Sequence, residues 1–203
     1  MNMMRFTTMK TKLRKYPSIF LILLLAISSC FLTGCVNQHP KDSKKSSQGE
    51  SVETMLEITD PKEKQAVLNA KAKVKALSGN PRIVATSPAV ADICDKLDLD
   101  LVGVPKSSVS KIPSRYKKVK KVGLAMSPDM EIVSSLNPDW ILAPSSLETD
   151  LKPKFEELKN TEYAFLNLRS VQGMYRSVQE LGEIFGKQQE AEKMTKEFTT
   201  FYK

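Results

Sequence analysis

The sequence contains a single histidine, and His39 lies in a run of Lys, Ser, Gln and Asp with almost nothing to bury. A segment of that kind gives an imidazole no fixed geometry for a catalytic dyad or a metal centre. Cysteine is nearly as scarce. Of the three, Cys30 and Cys35 stand close to the N-terminus and Cys94 is alone in a helix-like stretch, which excludes a disulfide or a Cys-based metal site in the folded part. Cys94 reads as a small buried apolar residue rather than a reactive thiol. The chain has no Gly-x-Ser-x-Gly, no His-Glu-x-x-His and no glycine-rich phosphate loop, so nothing supports an exported hydrolase or any other enzyme.

Acidic residues are missing from the first sixteen positions, where Arg5, Lys10, Lys12, Arg14 and Lys15 stand. Such a cationic flank holds an export signal on the cytoplasmic side. Residues 19–32 follow as a mostly apolar run, too short to cross a ~30 Å hydrocarbon layer comfortably but suited to a signal peptide. In Leu32-Thr33-Gly34-Cys35, small residues precede a cysteine, the pattern of a lipoprotein cut site. Cleavage after Gly34 leaves Cys35 to accept a diacylglycerol, whose two chains give a stable anchor where one would not. Cys30, after Ile27-Ser28-Ser29, is a second, weaker match inside the apolar run. The mature chain is thus expected on the outer face of the cytoplasmic membrane. Its charge is less basic than the formal +8 suggests, because loss of the five signal cations leaves 26 basic against 23 acidic residues. Nucleic acid binding gains no support from that balance.

Residues 35–50 read as a disordered, solvated tether, and 51–81 as a helical lead-in closed by Ser78-Gly79-Asn80-Pro81. From residue 82 strands and helices alternate. Strands are predicted at 82–86, 101–104, 119–122, 140–143 and 163–168, and helices at 88–97, 129–136, 148–158 and 171–185, with Gly186 as the last stop. That order implies an α/β, Rossmann-like lobe over 82–186 with a mainly parallel sheet covered by helices on both faces. Residues 187–203 start another helix, which the sequence leaves without a stop signal.

Several segments in this order and spacing resemble the class III solute-binding lipoproteins of iron, siderophore, cobalamin and haem importers. They are Arg82-Ile83-Val84-Ala85-Thr86, Asp95-Lys96-Leu97-Asp98-Leu99, Leu101-Val102-Gly103-Val104-Pro105, Pro113-Ser114-Arg115-Tyr116-Lys117, Val122-Gly123-Leu124-Ala125-Met126-Ser127-Pro128, and Gly173-Met174-Tyr175-Arg176-Ser177 with Gln179-Glu180-Leu181-Gly182. Within that family the similarity is greatest to the haem-binding members of the iron-regulated surface determinant type. The resemblance covers residues 82–203 and implies the first of two lobes plus the start of a long interlobe helix.

The same resemblance implies haem as the transported ligand, with Met126 as an axial ligand to its iron, and a neutral thioether suits that metal without activating oxygen. Met130, four residues on, is the competitor, although its place on a helix face favours packing. Pro88 and Ala89, at a helix N-terminus, and Ser107 and Ser108, beside Lys106, are implied as porphyrin contacts that receive the propionates. An aromatic residue that such proteins carry near Ser108 is absent here. Glu148 and Asp150 are implied as the acidic groups that dock onto an ABC permease with its ATPase, and a cell-wall haem donor is implied upstream.

Two other readings stay open: the same scaffold carrying a ferric siderophore or cobalamin, and a surface lipoprotein that scaffolds without transporting anything. The second lobe and its histidine lie beyond this length, so the chain is expected to be a fragment, a truncated reading frame or a single-lobe relic.

Overall fold

The computed structural model describes residues 5–6 and 56–201. All of the predicted signal peptide except residues 5–6, together with Cys35, His39 and the whole of the tether, therefore lies outside the described residues. Strands run in the order β1 (Arg5–Phe6), β2 (Ile83–Ala85), β3 (Leu101–Val104), β4 (Lys120–Lys121), β5 (Gly123–Leu124), β6 (Ser127–Pro128), β7 (Trp140–Pro144) and β8 (Glu162–Leu166). Helices are α1 (Pro61–Lys75), α2 (Pro88–Lys96), α3 (Met130–Ser135), α4 (Glu148–Glu156), α5 (Val171–Phe185) and α6 (Gln188–Phe201).

Local chemistry fixes the helix ends. Asp60 caps α1 by accepting from Lys62 N at 2.7 Å, with Pro61 in the first turn, where its missing N–H costs nothing. Ser87 caps α2, Asp129 caps α3 and Ser170 caps α5 in the same way. Gly186, at φ +70°, ends α5 in the left-handed conformation that glycine adopts without a Cβ clash.

The main sheet has the order β1-β8-β7-β2-β3-β4. β2, β3, β4, β7 and β8 are parallel, and β1 lies antiparallel on β8. Ile83 pairs with both Leu101 and Trp140, so β2 is the centre from which the chain winds first toward β4 and then toward β8. Strict alternation sends side chains to two cores. Ile83, Ala85, Leu142, Ala164 and Leu166 face Val67 and Ala70 of α1, Val90 and Cys94 of α2, and Val178 and Leu181 of α5. Val84, Ile141, Ala143, Tyr163 and Phe165 face Val133 of α3 and Leu151 and Phe155 of α4. The α/β lobe with helices on both faces is thus the architecture that the strand-helix alternation implies.

Two aromatic groups lock these layers. Trp140 meets Phe185 edge-on, with ring centroids 5.6 Å apart, and Phe155, Tyr163 and Phe165 lie within 5.8 Å of one another. Cys94 is fully buried and its thiol is pushed up to about 12 by desolvation, as expected of an inert core residue.

The lead-in helix belongs to this body. Arg176 of α5 donates to the Glu63 carboxylate of α1 at 2.7 Å, and Lys71 pairs with Glu183 at 2.7 Å. Glu180 is buried beside Glu63, and desolvation together with a hydrogen bond to that carboxylate holds Glu180 protonated well above the ordinary value of 4.5. A raised folded-state pKa contributes stability that is complete below the unfolded value and is lost as pH rises. Urea stability is accordingly expected to fall as pH rises from about 4.5 toward about 9, and Glu180→Gln to flatten that slope. A slope unchanged in the variant would show that Glu180 is not the responsible group.

Candidate functional site

In a parallel sheet all strands end on one side, and the loops that follow them share one edge. Here that carboxyl edge collects Thr86 and Ser87 after β2, Pro105 to Ser110 after β3, the β5–β6 hairpin after β4, Ser145 after β7 and Asn167 to Ser170 after β8. The winding direction changes between β2 and β7, and in open α/β sheets such a switch point is where ligands settle.

Met126 stands at this edge. β5 and β6 pair Gly123 with Pro128 and Leu124 with Ser127, which leaves Ala125 and Met126 as a two-residue turn. A hairpin therefore occupies residues 123–128, which the sequence leaves outside the predicted strands and helices. Its base is tied on both sides: Lys106 N donates to Gly123 O at 2.6 Å, and Asp129 N to Val122 O at 2.7 Å. The Asp129 carboxylate then accepts from Glu131 N and Ile132 N, both at 3.1 Å, and so couples the hairpin to α3. The Met126 side chain is 72% exposed at the tip, whereas Met130 is half-buried and packs into the core under α3.

Exposed large apolar side chains concentrate on this edge. Val109 in the β3–β4 loop is 95% exposed and Leu124 on the hairpin 61%, and Val171 at the start of α5 is also open. Single exposed apolar residues mean little, but several on one rim suit a face that an apolar ligand or a second body covers.

The remaining implied contacts fall on the same edge. Pro88 is half-buried and Ala89 exposed in the first turn of α2, whose opening is fixed by Thr86 N donating to Leu142 O at 3.0 Å. Ser107 and Ser108 are exposed, and Ser107 Oγ accepts from Ser110 N at 2.9 Å, which curls the loop behind Lys106. Glu148 and Asp150 occupy the first turn of α4, where the helix dipole favours carboxylates; Glu148 is half-buried and Asp150 exposed. Sequence reasoning missed Ser145, whose hydroxyl is buried at the end of β7 without a hydrogen-bond partner among the described residues. A cleft of about 510 Å³ lined by Ser134, Asn137, Asp139, Glu157 and Thr161 belongs instead to the opposite, amino-terminal edge.

Comparison with known proteins matches residues 83–203 to the model of the family described as "Periplasmic binding protein". The "High-affinity heme uptake system protein IsdE" of Staphylococcus aureus (strain Newman) is 36% identical over 117 residues, covering 58% of this chain and 39% of that protein. The crystal structure of S. aureus IsdE complexed with heme superposes with a TM-score of 0.57 at 34% identity, over 60% of this chain and 46% of the other. An ABC transporter substrate-binding protein from Listeria monocytogenes EGD-e is 44% identical with a TM-score of 0.58, over 60% and 46%. The petrobactin-binding protein YclQ of Bacillus subtilis is 25% identical with a TM-score of 0.50, over 56% and 42%. The chain spans less than half the length of each of these proteins.

Gly123 is the pivot of the hairpin. Its φ is +99°, and a Cβ there would lie 2.8 Å from Asp129 N. Gly123→Ala is expected to lower stability by about 1–3 kcal/mol in urea titration. Ser127→Ala, at an exposed position of the same hairpin, should stay within about 0.5 kcal/mol of the parent. Equal effects of the two would remove Gly123 from this role.

Proposed function

This chain belongs to the periplasmic binding protein family, and we propose that its lobe forms one side of a haem site in a membrane-anchored receptor that hands its ligand to an ABC importer for iron acquisition. The work is binding rather than catalysis. The observation that carries the reading is Met126, a thioether held in solvent at the tip of a pinned hairpin, on the edge where the sheet's winding reverses. Met126 stands with Leu124 and Val109 on one rim rather than alone, and a neutral sulfur is a known class of ligand for haem iron.

On this reading Met126 supplies one axial ligand and Leu124 and Val109 meet the porphyrin face. Pro88 opens α2 and contacts the ligand through its ring, Ala89 turns its backbone N–H toward a propionate, and Ser107 and Ser108 offer hydroxyls next to the Lys106 ammonium. A second lobe would close over this edge and bring the other axial ligand. Cys35 carries the lipid that fixes the receptor to the outer face of the cytoplasmic membrane, residues 36–50 serve as the tether, and Glu148 and Asp150 contact the permease. Support for haem comes from the 36% identity over 117 residues to IsdE, described as a high-affinity heme uptake protein.

A second reading, an anionic ferric siderophore on the same edge, is favoured by Lys106 with its neighbouring hydroxyls and by the likeness to a petrobactin-binding protein. The two separate in one experiment. Haem titrated into residues 36–203 is expected to give a shifted Soret band, and Met126→Ala to weaken binding by about tenfold or more, the equivalent of roughly 1.4 kcal/mol. Met130→Ala should leave the spectrum unchanged. Thermal protection by ferric chelates and none by haem would favour the siderophore, and haem affinity indifferent to Met126→Ala would remove that residue from the site.

A further inference from the structure

Between Leu101 and Pro128 the chain carries seven cations and no carboxylate, whereas Asp129 to Lys203 carries thirteen carboxylates against nine cations. Charge is therefore segregated rather than mixed. Arg115 is neutralised internally, since it donates to Asp98 at 2.8 Å and to Asp100 at 2.7 Å. The other six are Lys106, Lys111, Lys117, Lys118, Lys120 and Lys121. None of them forms an ion pair among the described residues, and all are exposed except Lys121, which is half-buried.

β4 is the outermost strand on its side of the sheet and carries Lys120 and Lys121, Lys117 and Lys118 lead directly into it, and Lys106 lies at the carboxyl end of the neighbouring β3. Lysine on an edge strand guards against unwanted strand pairing, which accounts for Lys120 and Lys121. It does not account for Lys106, Lys111, Lys117 and Lys118, which lie outside any strand. Unpaired like charges in proximity repel one another, and a surface that keeps them suits a polyanion.

We propose that the β4 flank is a docking surface for a bilayer rich in anionic phospholipid headgroups, and that it sets how the lobe lies on the membrane. The proposal rests on the reading that the chain is membrane-anchored. An anchored lobe meets headgroups at high local concentration, so dispersed lysines suffice without a shaped pocket. The flank offers no stacking platform for a nucleic acid, because Tyr116, its aromatic residue, is buried. Lysine rather than arginine predominates, which suits diffuse attraction to headgroups better than bidentate recognition of one phosphate.

The test uses the full chain on two sets of vesicles, phosphatidylcholine alone and phosphatidylcholine mixed with phosphatidylglycerol. The apolar N-terminal segment should hold the protein on both. Brief acetylation followed by peptide mass spectrometry then reads each lysine. Lys117, Lys118 and Lys120 are expected to react several-fold more slowly on the anionic vesicles, with Lys159, Lys193 and Lys196 unchanged. The difference should vanish near 1 M salt, where charge is screened within about 3 Å. A triple variant, Lys117→Glu with Lys118→Glu and Lys120→Glu, should also abolish protection of Lys111. Equal reactivity on both vesicles, or protection centred on Lys159 and Lys193, would overturn the proposal, as would a chain that binds neither vesicle. Binding to anionic vesicles alone, with the same three lysines protected, would keep the surface and discard the N-terminal anchor.

Discussion

A parallel sheet buried on both faces is the constraint from which the rest of the lobe follows. Each strand must be followed by a crossover to the opposite end before the next begins, so every loop leaving a strand lands on one edge. Because β2 lies at the centre and the chain winds outward from it in both directions, that edge acquires a reversal point between β2 and β7. Thr86, Ser87, Ser145 and the hairpin bearing Met126 are neighbours for this topological reason, although they are scattered over sixty residues of sequence. The two hydrophobic cores make the arrangement stiff, and a stiff support is what allows an exposed side chain to wait in a fixed place.

Much of this was legible beforehand, where one local rule dominated. The α5 helix is readable because a 3.6-residue apolar period runs up to a glycine stop, and both signals are local; its Ser170 cap is seen in the fold. The apolar run predicts a last strand reaching Leu168, but it stops at Leu166 because Leu168 N turns back to Leu166 O and Asn167 N donates to Ser177 Oγ. The β5–β6 hairpin escaped notice because its turn is Ala125-Met126, without the Asn-Gly or Asp-Gly signal of two-residue hairpins, and the positive φ sits at Gly123 instead.

Sites formed by distant partners were the hardest to foresee. Glu63 lies in the polar-looking start of a helix and reads as a solvated carboxylate, yet its partner Arg176 is 113 residues away and both are shielded from water. The same applies to Ser145, which becomes conspicuous only once β7 has buried its hydroxyl. Met126 is singled out by family resemblance alone; its exposure at the hairpin tip belongs to the fold. The ion-paired node on α1 also means that the lead-in helix moves with the lobe, so the reach of any tether is measured from residue 56 or earlier rather than from β2.

The chain has one tryptophan, and Trp140 is buried at the first position of β7 against Phe185. From there to the carboxyl edge is the length of one short strand, roughly 13–17 Å. An indole in that position is a built-in optical probe. Its emission colour reports whether the sheet is closed against α5, and its brightness should dim whenever a strongly absorbing molecule sits on the edge above it. Folding and occupancy can thus be followed separately in one cuvette, without attaching any label.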